Sequence, residues 1–557
     1  MKFKSLCVTL LLIITSYTFT YAQLTDYNFL GGGARARGMG GAFFGVSDDP
    51  SAASWNPAGL TQLNKYQMGL TFNNNKYKTD FSEKIFNNSA SLTNSETSDM
   101  TKNLITFGSV ILPFTFSGKN LVGSVTYQRI SEVAGEHLFY NSNYLIEPQT
   151  DTYTWTNAGG TWDTTFTFPV YSKMHEIYRI YQILTLVQGA KAGYDRGRYK
   201  FNWADFNLKE EIDGSLNMTT LALATSPIKD LSLGVGVNIY SGGYTLKGTQ
   251  SKILLEDTTN FPAEPIDTIY AELKPSVEAS YSGFGLVFGA MYKIQNLRLG
   301  AVIKSARTIK EKQDVQLIWD EWSPRETNPN PGTNRPRGVL YPVEFEEKWK
   351  FPLIWGGGAS YKFRNLTVAA DVEIRGYSKT ELTYPTSAGY PEGDFEYPAD
   401  PSTPKRTVKI KWEDGTQFRL GAEYVFATKY GKIPIRVGYR NDPKPFTNVN
   451  DVVISDTFMT DIRNPVDPHR DTLDSRRIYY KGTPGDKIEG NILSFGTGIG
   501  WSQIMFDITY ELGSYETKAN GVRIKFSEDY LPKEYDSFDQ KVKRNESKIM
   551  INFTGFF

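Results

Sequence analysis

The residues able to do chemistry in this chain are few in kind. There are three histidines, His137, His175 and His469, and one cysteine, Cys7. No two histidines stand at metal-ligand spacing, and Cys7 lies in an apolar N-terminal run, so neither a metal centre nor a disulfide framework is expected. No G-x-S-x-G is present, and the carboxylates of the polar stretches read as solvating charge. No enzyme and no cofactor follow from these residues. What remains is charge placed by alternation. Arg419 and Glu423 fall between Phe418, Leu420, Ala422 and Tyr424. Asp371, Glu373 and Arg375 oppose Val368, Ala370, Val372 and Ile374, and Arg436 and Arg440 oppose Ile435, Val437 and Tyr439. Arg298 and Lys304 oppose Leu297, Leu299 and Ile303. Two uses are open for such a charged face. The commoner is a network of internal ion pairs bracing a wall. The other leaves Arg419, Arg436 or Arg440 available to bind a ligand carboxylate bidentately.

The elements that position these charges are strands. Fourteen candidate strands lie near 65–77, 103–116, 119–130, 214–226, 231–246, 279–294, 297–313, 351–363, 366–382, 416–428, 433–440, 491–500, 502–515 and 546–557. Each alternates apolar with polar or small residues, so each has two unlike faces. An apolar outer face repeated many times at membrane-crossing length predicts an all-β fold, a transmembrane antiparallel β-barrel. A mean hydropathy of −0.40 agrees with that, because only every second strand residue meets lipid. The 14% of aromatic residues suits interfacial girdles. The formal net charge is zero, which gives no support to nucleic-acid binding. Lys2, Lys4, the apolar run 6–18 and Thr20-Tyr21-Ala22 read as a signal peptide over 1–22. No later run approaches the roughly 18 apolar residues of a spanning helix.

Connections alternate between short and long. The short ones are Ser117-Gly118, Pro227–Asp230, Gln295-Asn296, Arg364-Asn365, Lys429–Lys432 and Trp501. The long ones cover 78–102, 131–213, 247–278, 314–350, 383–415, 441–490 and 516–545. Outer-membrane barrels have short periplasmic turns and long external loops, so both ends should lie in the periplasm. Within the longest loop Ile177, Ile180, Tyr181, Leu184 and Val187 fall at helical spacing, predicting a short amphipathic helix over 174–188. Ile177, Ile180 and Leu184 are candidates to catch an apolar ligand there, or else to pack on other loops.

Between signal and first strand, residues 29–63 are not strand-like. They hold Gly31-Gly32-Gly33-Ala34-Arg35-Ala36-Arg37-Gly38-Met39-Gly40-Gly41-Ala42, then Asp48-Asp49-Pro50-Ser51 and Trp55-Asn56-Pro57-Ala58-Gly59-Leu60. A phosphate-loop reading fails, since no strand precedes the glycines and no GK[ST] follows. Small residues allow tight backbone packing inside a lumen; Asp48, Asp49 and Ser51 are fit to cap a short helix that Pro57 would break. The stretch resembles the start of FadL-type outer-membrane transport proteins, in which an "ARAMGMGGA"-like run precedes "DD…A…NPAGL". The match covers 34–42 and 48–60, with Gly38, Gly40, Gly41, Asp48, Asp49, Asn56, Pro57 and Gly59 as its motif positions. Residues 231–240, and 416–426 followed by 435–443, resemble later hairpins of that family.

The resemblance implies a fourteen-stranded barrel (64–557) plugged by an N-terminal hatch (23–63), in the bacterial outer membrane. It implies passive uptake of long-chain fatty acids or other hydrophobic compounds, caught by external loops and released by hatch movement and lateral diffusion. The implied partners are that small molecule, outer-membrane lipid and, during biogenesis, the barrel-assembly machinery, which the terminal Phe557 suits. The alternative is a noncatalytic scaffold of the same fold, partnering a secretion system.

Overall fold

A computed structural model describes residues 30–86, 91–135, 149–157, 160–168, 200–257, 268–322, 337–385, 405–410, 412–429, 431–462, 472–526 and 532–557. The expected signal peptide and the expected helix at 174–188 lie outside them. Among the described residues there are twenty strands. They are β1 (Gln67–Phe86), β2 (Ser91–Phe116), β3 (Lys119–Gly135), β4 (Gln149–Asn157), β5 (Gly160–Phe168), β6 (Lys200–Ile228) and β7 (Leu231–Asp257). Next come β8 (Thr268–Ile294), β9 (Leu297–Lys304), β10 (Arg307–Trp322), β11 (Arg337–Phe351), β12 (Ile354–Phe363), β13 (Leu366–Arg375) and β14 (Glu381–Pro385). The last are β15 (Lys405–Lys409), β16 (Gly415–Thr428), β17 (Gly431–Ile462), β18 (Thr472–Gly500), β19 (Ile504–Phe526) and β20 (Pro532–Phe556).

Fourteen of these make a closed wall. Antiparallel pairing runs β1-β2-β3-β6-β7-β8-β9-β12-β13-β16-β17-β18-β19-β20. It closes because Gln67 of β1 sits opposite both Ile111 of β2 and Phe556 of β20. Closure leaves no unpaired edge within the wall, which backbone in lipid requires. All fourteen expected strands are found in it, and the predicted alternation holds. Phe418 and Leu420 are 52% and 54% exposed while Arg419 between them is 1% exposed. The outward set, including Leu223, Phe288, Phe495 and Phe553, is exposed and apolar. An apolar outer belt around a closed barrel is the architecture of a multi-pass outer-membrane protein.

The turns joining wall strands at one rim are tight, with Ser117, Asp230, Gln295 and Arg364 each in the left-handed region. At the other rim the structure departs from expectation. Stretches predicted as loops continue as paired strands: Lys78 faces Asp99, and the β1–β2 ladder reaches Phe86 opposite Ser91. Above the belt the outward face no longer meets lipid, so the strand persists there without the apolar alternation that would betray it.

Four consecutive wall strands break at a common level. β9 yields to β10 at residues 305–306, β11 to β12 at 352–353, β13 to β14 at 376–380 and β15 to β16 at 410–414. Beyond the break, β8, β10, β11, β14 and β15 form their own antiparallel run. Among the described residues, β4 and β5 pair only with each other.

Candidate functional site

The site is built where residues 30–63 meet the inward faces of the wall. Two short helices, α1 (Ala34–Gly38) and α2 (Ala52–Trp55), and a 3₁₀ turn, Pro57–Gln62, are its regular parts. Met39, Phe43, Phe44, Val46 and Trp55 form an apolar cluster with the wall residues Val287, Val302 and Ala369. The edge of Phe43 meets Trp55 at 6.1 Å. Such packing accounts for the segment's small residues: Gly40 has φ of 67°, and a Cβ there would lie 2.6 Å from the Tyr439 nitrogen of β17. Opposite it, the wall itself presents Gly438, whose missing Cβ leaves room for the Gly40 backbone. Gly438→Val is therefore expected to unseat this stretch, at an overpacking cost of about 1–3 kcal/mol. Limited proteolysis should then cleave within residues 30–63 while the barrel stays resistant, and unchanged resistance of both would contradict the fit.

Charge completes the seat. Arg35 places Nε and Nη2 on the two oxygens of Glu423, each at 2.9 Å. From the wall side, Arg436 reaches the same carboxylate at 2.6 Å and Asp507 at 2.7 Å. The arrangement repeats one strand pair away. Arg37 grips Glu511 at 2.9 and 2.6 Å, and Arg440 grips it from the wall at 2.6 and 3.1 Å. Each of these carboxylates is thus shared between one arginine of the N-terminal segment and one of β17. Burial alone would disfavour the Arg35 charge, but Asp48, Glu423 and Asp49 outweigh it and hold the guanidinium well above its ordinary pKa.

A third cluster lies nearer the strand breaks. Glu373 pairs with Arg375 at 2.7 Å, Arg419 at 3.0 Å and Lys304 at 3.2 Å. Gln417 accepts from Arg419 at 2.6 Å and from Arg375 at 2.8 Å. The Arg419 guanidinium also stands 5.0 Å from the Phe44 ring centre. Asp371 accepts the backbone N–H groups of Phe43 at 2.6 Å and Phe44 at 2.9 Å.

The expected site residues are distributed as follows. Arg419, Arg436 and Arg440 face inward, are 1–2% exposed and all hold carboxylates. Ile177, Ile180 and Leu184 lie outside the described residues. Gly38, Gly40 and Gly41 line the contact with β16–β19 and Trp55. Asp48 pairs with Arg35 at 2.6 Å and with Arg298 at 3.6 Å, so it is an ion-pair partner and caps no helix. Asp49 accepts from the Ser51 nitrogen at 2.8 Å, a turn ahead of α2. Asn56 donates to the Phe44 and Ala290 carbonyls and accepts from Ala58, while Pro57 opens the 3₁₀ turn. Gly59 packs under Ser47. Sequence reading missed the roles of Arg35 and Arg37; their signal was two basic residues in an apolar, small-residue run facing a lumen rich in carboxylates.

It also missed an aromatic cluster at the strand breaks. Trp349, Phe351 and Trp412 stack with centroids 6.0–6.5 Å apart, and Tyr377 meets Trp412 edge-on at 6.1 Å. All four are buried, and Arg307 lies 5.1 Å from the Phe351 ring. Trp412 belongs to no strand. It stands between β15 and β16, outside both, so alternation could not place it.

No family model matches the chain, and no curated protein does. Among solved structures, the chain is similar to a FadL homologue of Pseudomonas aeruginosa at 13% identity and a TM-score of 0.46, covering 94% of this chain and 98% of that one. It is similar to the toluene transporter TodX of Pseudomonas putida at 12% identity and 0.46, covering 95% and 99%. The toluene transporter TbuX of Ralstonia pickettii aligns at 12% identity and 0.44, over 95% and 100%.

Proposed function

We propose that this barrel is a passive outer-membrane conduit for hydrophobic compounds and that residues 30–63 are its hatch. The observation that carries the reading is the aromatic cluster of Trp349, Phe351, Tyr377 and Trp412, buried at the strand breaks beside Arg307. Parting of these rings would give an entering apolar molecule a place to bury itself, each CH₂ being worth about 0.8 kcal/mol. The hatch is held by ion pairs, hydrogen bonds and apolar packing, all noncovalent and so reversible. Long-chain acids and neutral hydrocarbons both fit this chemistry. A carboxylate ligand would compete with Glu373 for Arg419, with Glu423 and Asp507 for Arg436, and with Glu511 for Arg440. The extension of β17 over Gly431–Ile462, far longer than a membrane crossing, favours a second reading as a scaffold for protein partners.

Organic extraction of the detergent-purified protein, followed by mass spectrometry, separates the two. Hydrophobic small molecules should co-extract from the wild type. Trp412→Ala removes aromatic contacts of about 0.5–1.5 kcal/mol each and should lower the retained amount several-fold. An extract free of such compounds, with a folded protein partner co-purifying instead, would replace transport by the scaffold reading.

A further inference from the structure

A groove of about 690 Å³ lies on the outside of the wall, away from the hatch. It crosses β2, β1, β20, β19 and β18 at the upper edge of the apolar belt. Two rows of outward side chains build it, fixed by strand register. The lower row runs Thr101, Lys76, Ser547, Leu512, Leu493. The upper row runs Asp99, Lys78, Asn545, Ser514, Asn491. Rows on one face of a strand are about 6.7 Å apart, so both rows bear on a single head group. Below them the face turns apolar on β20, β19 and β18, where Ile549, Tyr510 and Phe495 come next; on β1 and β2 the paired Asn74 and Asn103 intervene before Phe72.

The groove is deep at β20 because Asn545 and Ser547 are short, between longer lysines on one side and Leu512 on the other. Its charge is uneven. Lys78 lies 3.5 Å from Asp80 and directly opposite Asp99, so its charge is largely matched. Lys76 is flanked by Thr101 and Ser547, both neutral hydroxyls. Glu546 belongs to the lumen face, where it pairs with Lys548 at 3.1 Å and Arg544 at 3.2 Å. An outward cation among hydroxyls and amides, standing on an apolar slope, is complementary to an anionic head with chains beneath it.

We infer that this groove binds the phosphate head group of a membrane lipid, with Lys76 as its cation, Thr101, Ser547 and Asn545 as hydrogen-bonding partners, and the acyl chains lying over Ile549 and Phe72. Burial of the chains supplies binding that a free anion lacks, so the occupant is an amphiphile. The inference is independent of what the lumen carries.

The test uses the full-length protein, delipidated in an uncharged detergent and titrated by native mass spectrometry. Three probes are compared: dioleoyl phosphatidylglycerol, dioleoylglycerol with the same chains and no phosphate, and inorganic phosphate. Phosphatidylglycerol should be retained and dioleoylglycerol much less so, with inorganic phosphate failing to displace the lipid. Lys76→Glu should weaken phosphatidylglycerol about fivefold to tenfold, the scale of one basic residue at an anionic membrane surface. Ser547→Trp, which fills the trough without changing charge, should weaken it as well. Lys119→Glu, at the opposite rim, should leave it unchanged. Equal retention of both lipids, displacement by inorganic phosphate, or unaltered affinity in Lys76→Glu would each overturn the assignment.

Discussion

Removing residues 23–45 is expected to convert a closed barrel into a conducting one. The deletion takes out Arg35, Arg37, Met39, Phe43 and Phe44, the residues that tie the N-terminal segment, our proposed hatch, to β13, β16 and β19. It leaves the wall intact, because closure depends on the ladder between β1 and β20, which begins at Gln67. It also leaves the exposed wall charges paired among themselves. Glu423 keeps Arg436, and Glu511 keeps Arg440. Asp371 loses the N–H groups of Phe43 and Phe44, but emptying the lumen opens that carboxylate to water, and the other wall carboxylates keep their arginines, so folding should survive. Planar-bilayer recordings would show discrete ion conductance in the deleted protein and little in the wild type. A closed deletion protein with native strand content would mean that something other than residues 23–45 blocks the lumen.

The architecture was legible from the sequence for a simple reason: lipid imposes a strict period of two on any strand that crosses it. Arg419 between Phe418 and Leu420, or Arg436 between Ile435 and Val437, could be assigned to the inner face from alternation alone. Pairing was less legible. That Glu423 would be shared by Arg35 and Arg436 depends on β16 and β17 being neighbours and on α1 lying across them; sequence spacing of 388 residues between Arg35 and Glu423 carries no trace of it. Above the belt the period loses its meaning. The extensions of β17 and β18, which pair as far as Ile462 opposite Thr472, carry apolar residues such as Phe446, Val449 and Ile488 without a sustained period of two, and read as loop. The aromatic cluster was hidden for a third reason. Trp349 belongs to β11 and Phe351 ends it, Tyr377 is in a 3₁₀ turn and Trp412 stands between β15 and β16. Only the shared level of the four strand breaks brings them together.

The arginines of β17 offer the second large effect. Arg436 donates to Glu423 and Asp507 while only 2% exposed. Arg436→Ala leaves Glu423 with Arg35 but removes the guanidinium that holds Asp507, which is itself 2% exposed. Breaking one side of a buried ion pair costs about 3–5 kcal/mol, because the remaining charge stays desolvated without a partner. A clear drop in the melting temperature of the detergent-purified protein is expected. Arg436→Ala combined with Asp507→Asn should recover part of it, since the stranded charge is gone. Binding provides the complementary measurement. If Arg436 serves the seat of the hatch, a long-chain carboxylate and a neutral hydrocarbon of equal length should be affected alike. If instead a ligand carboxylate takes the place of Glu423 or Asp507, the acid alone should weaken, by about 1.5–3 kcal/mol for a lost hydrogen bond to a charged group. Selective loss of the acid with an unchanged melting temperature would assign Arg436 to the ligand. The double hold on Glu423, from the hatch at 2.9 Å and from the wall at 2.6 Å, argues for the seat. In the proposed release of residues 30–63 from Glu423, that carboxylate would stay neutralised by Arg436, so the wall arginine would lower the cost of release as well as brace the seated segment.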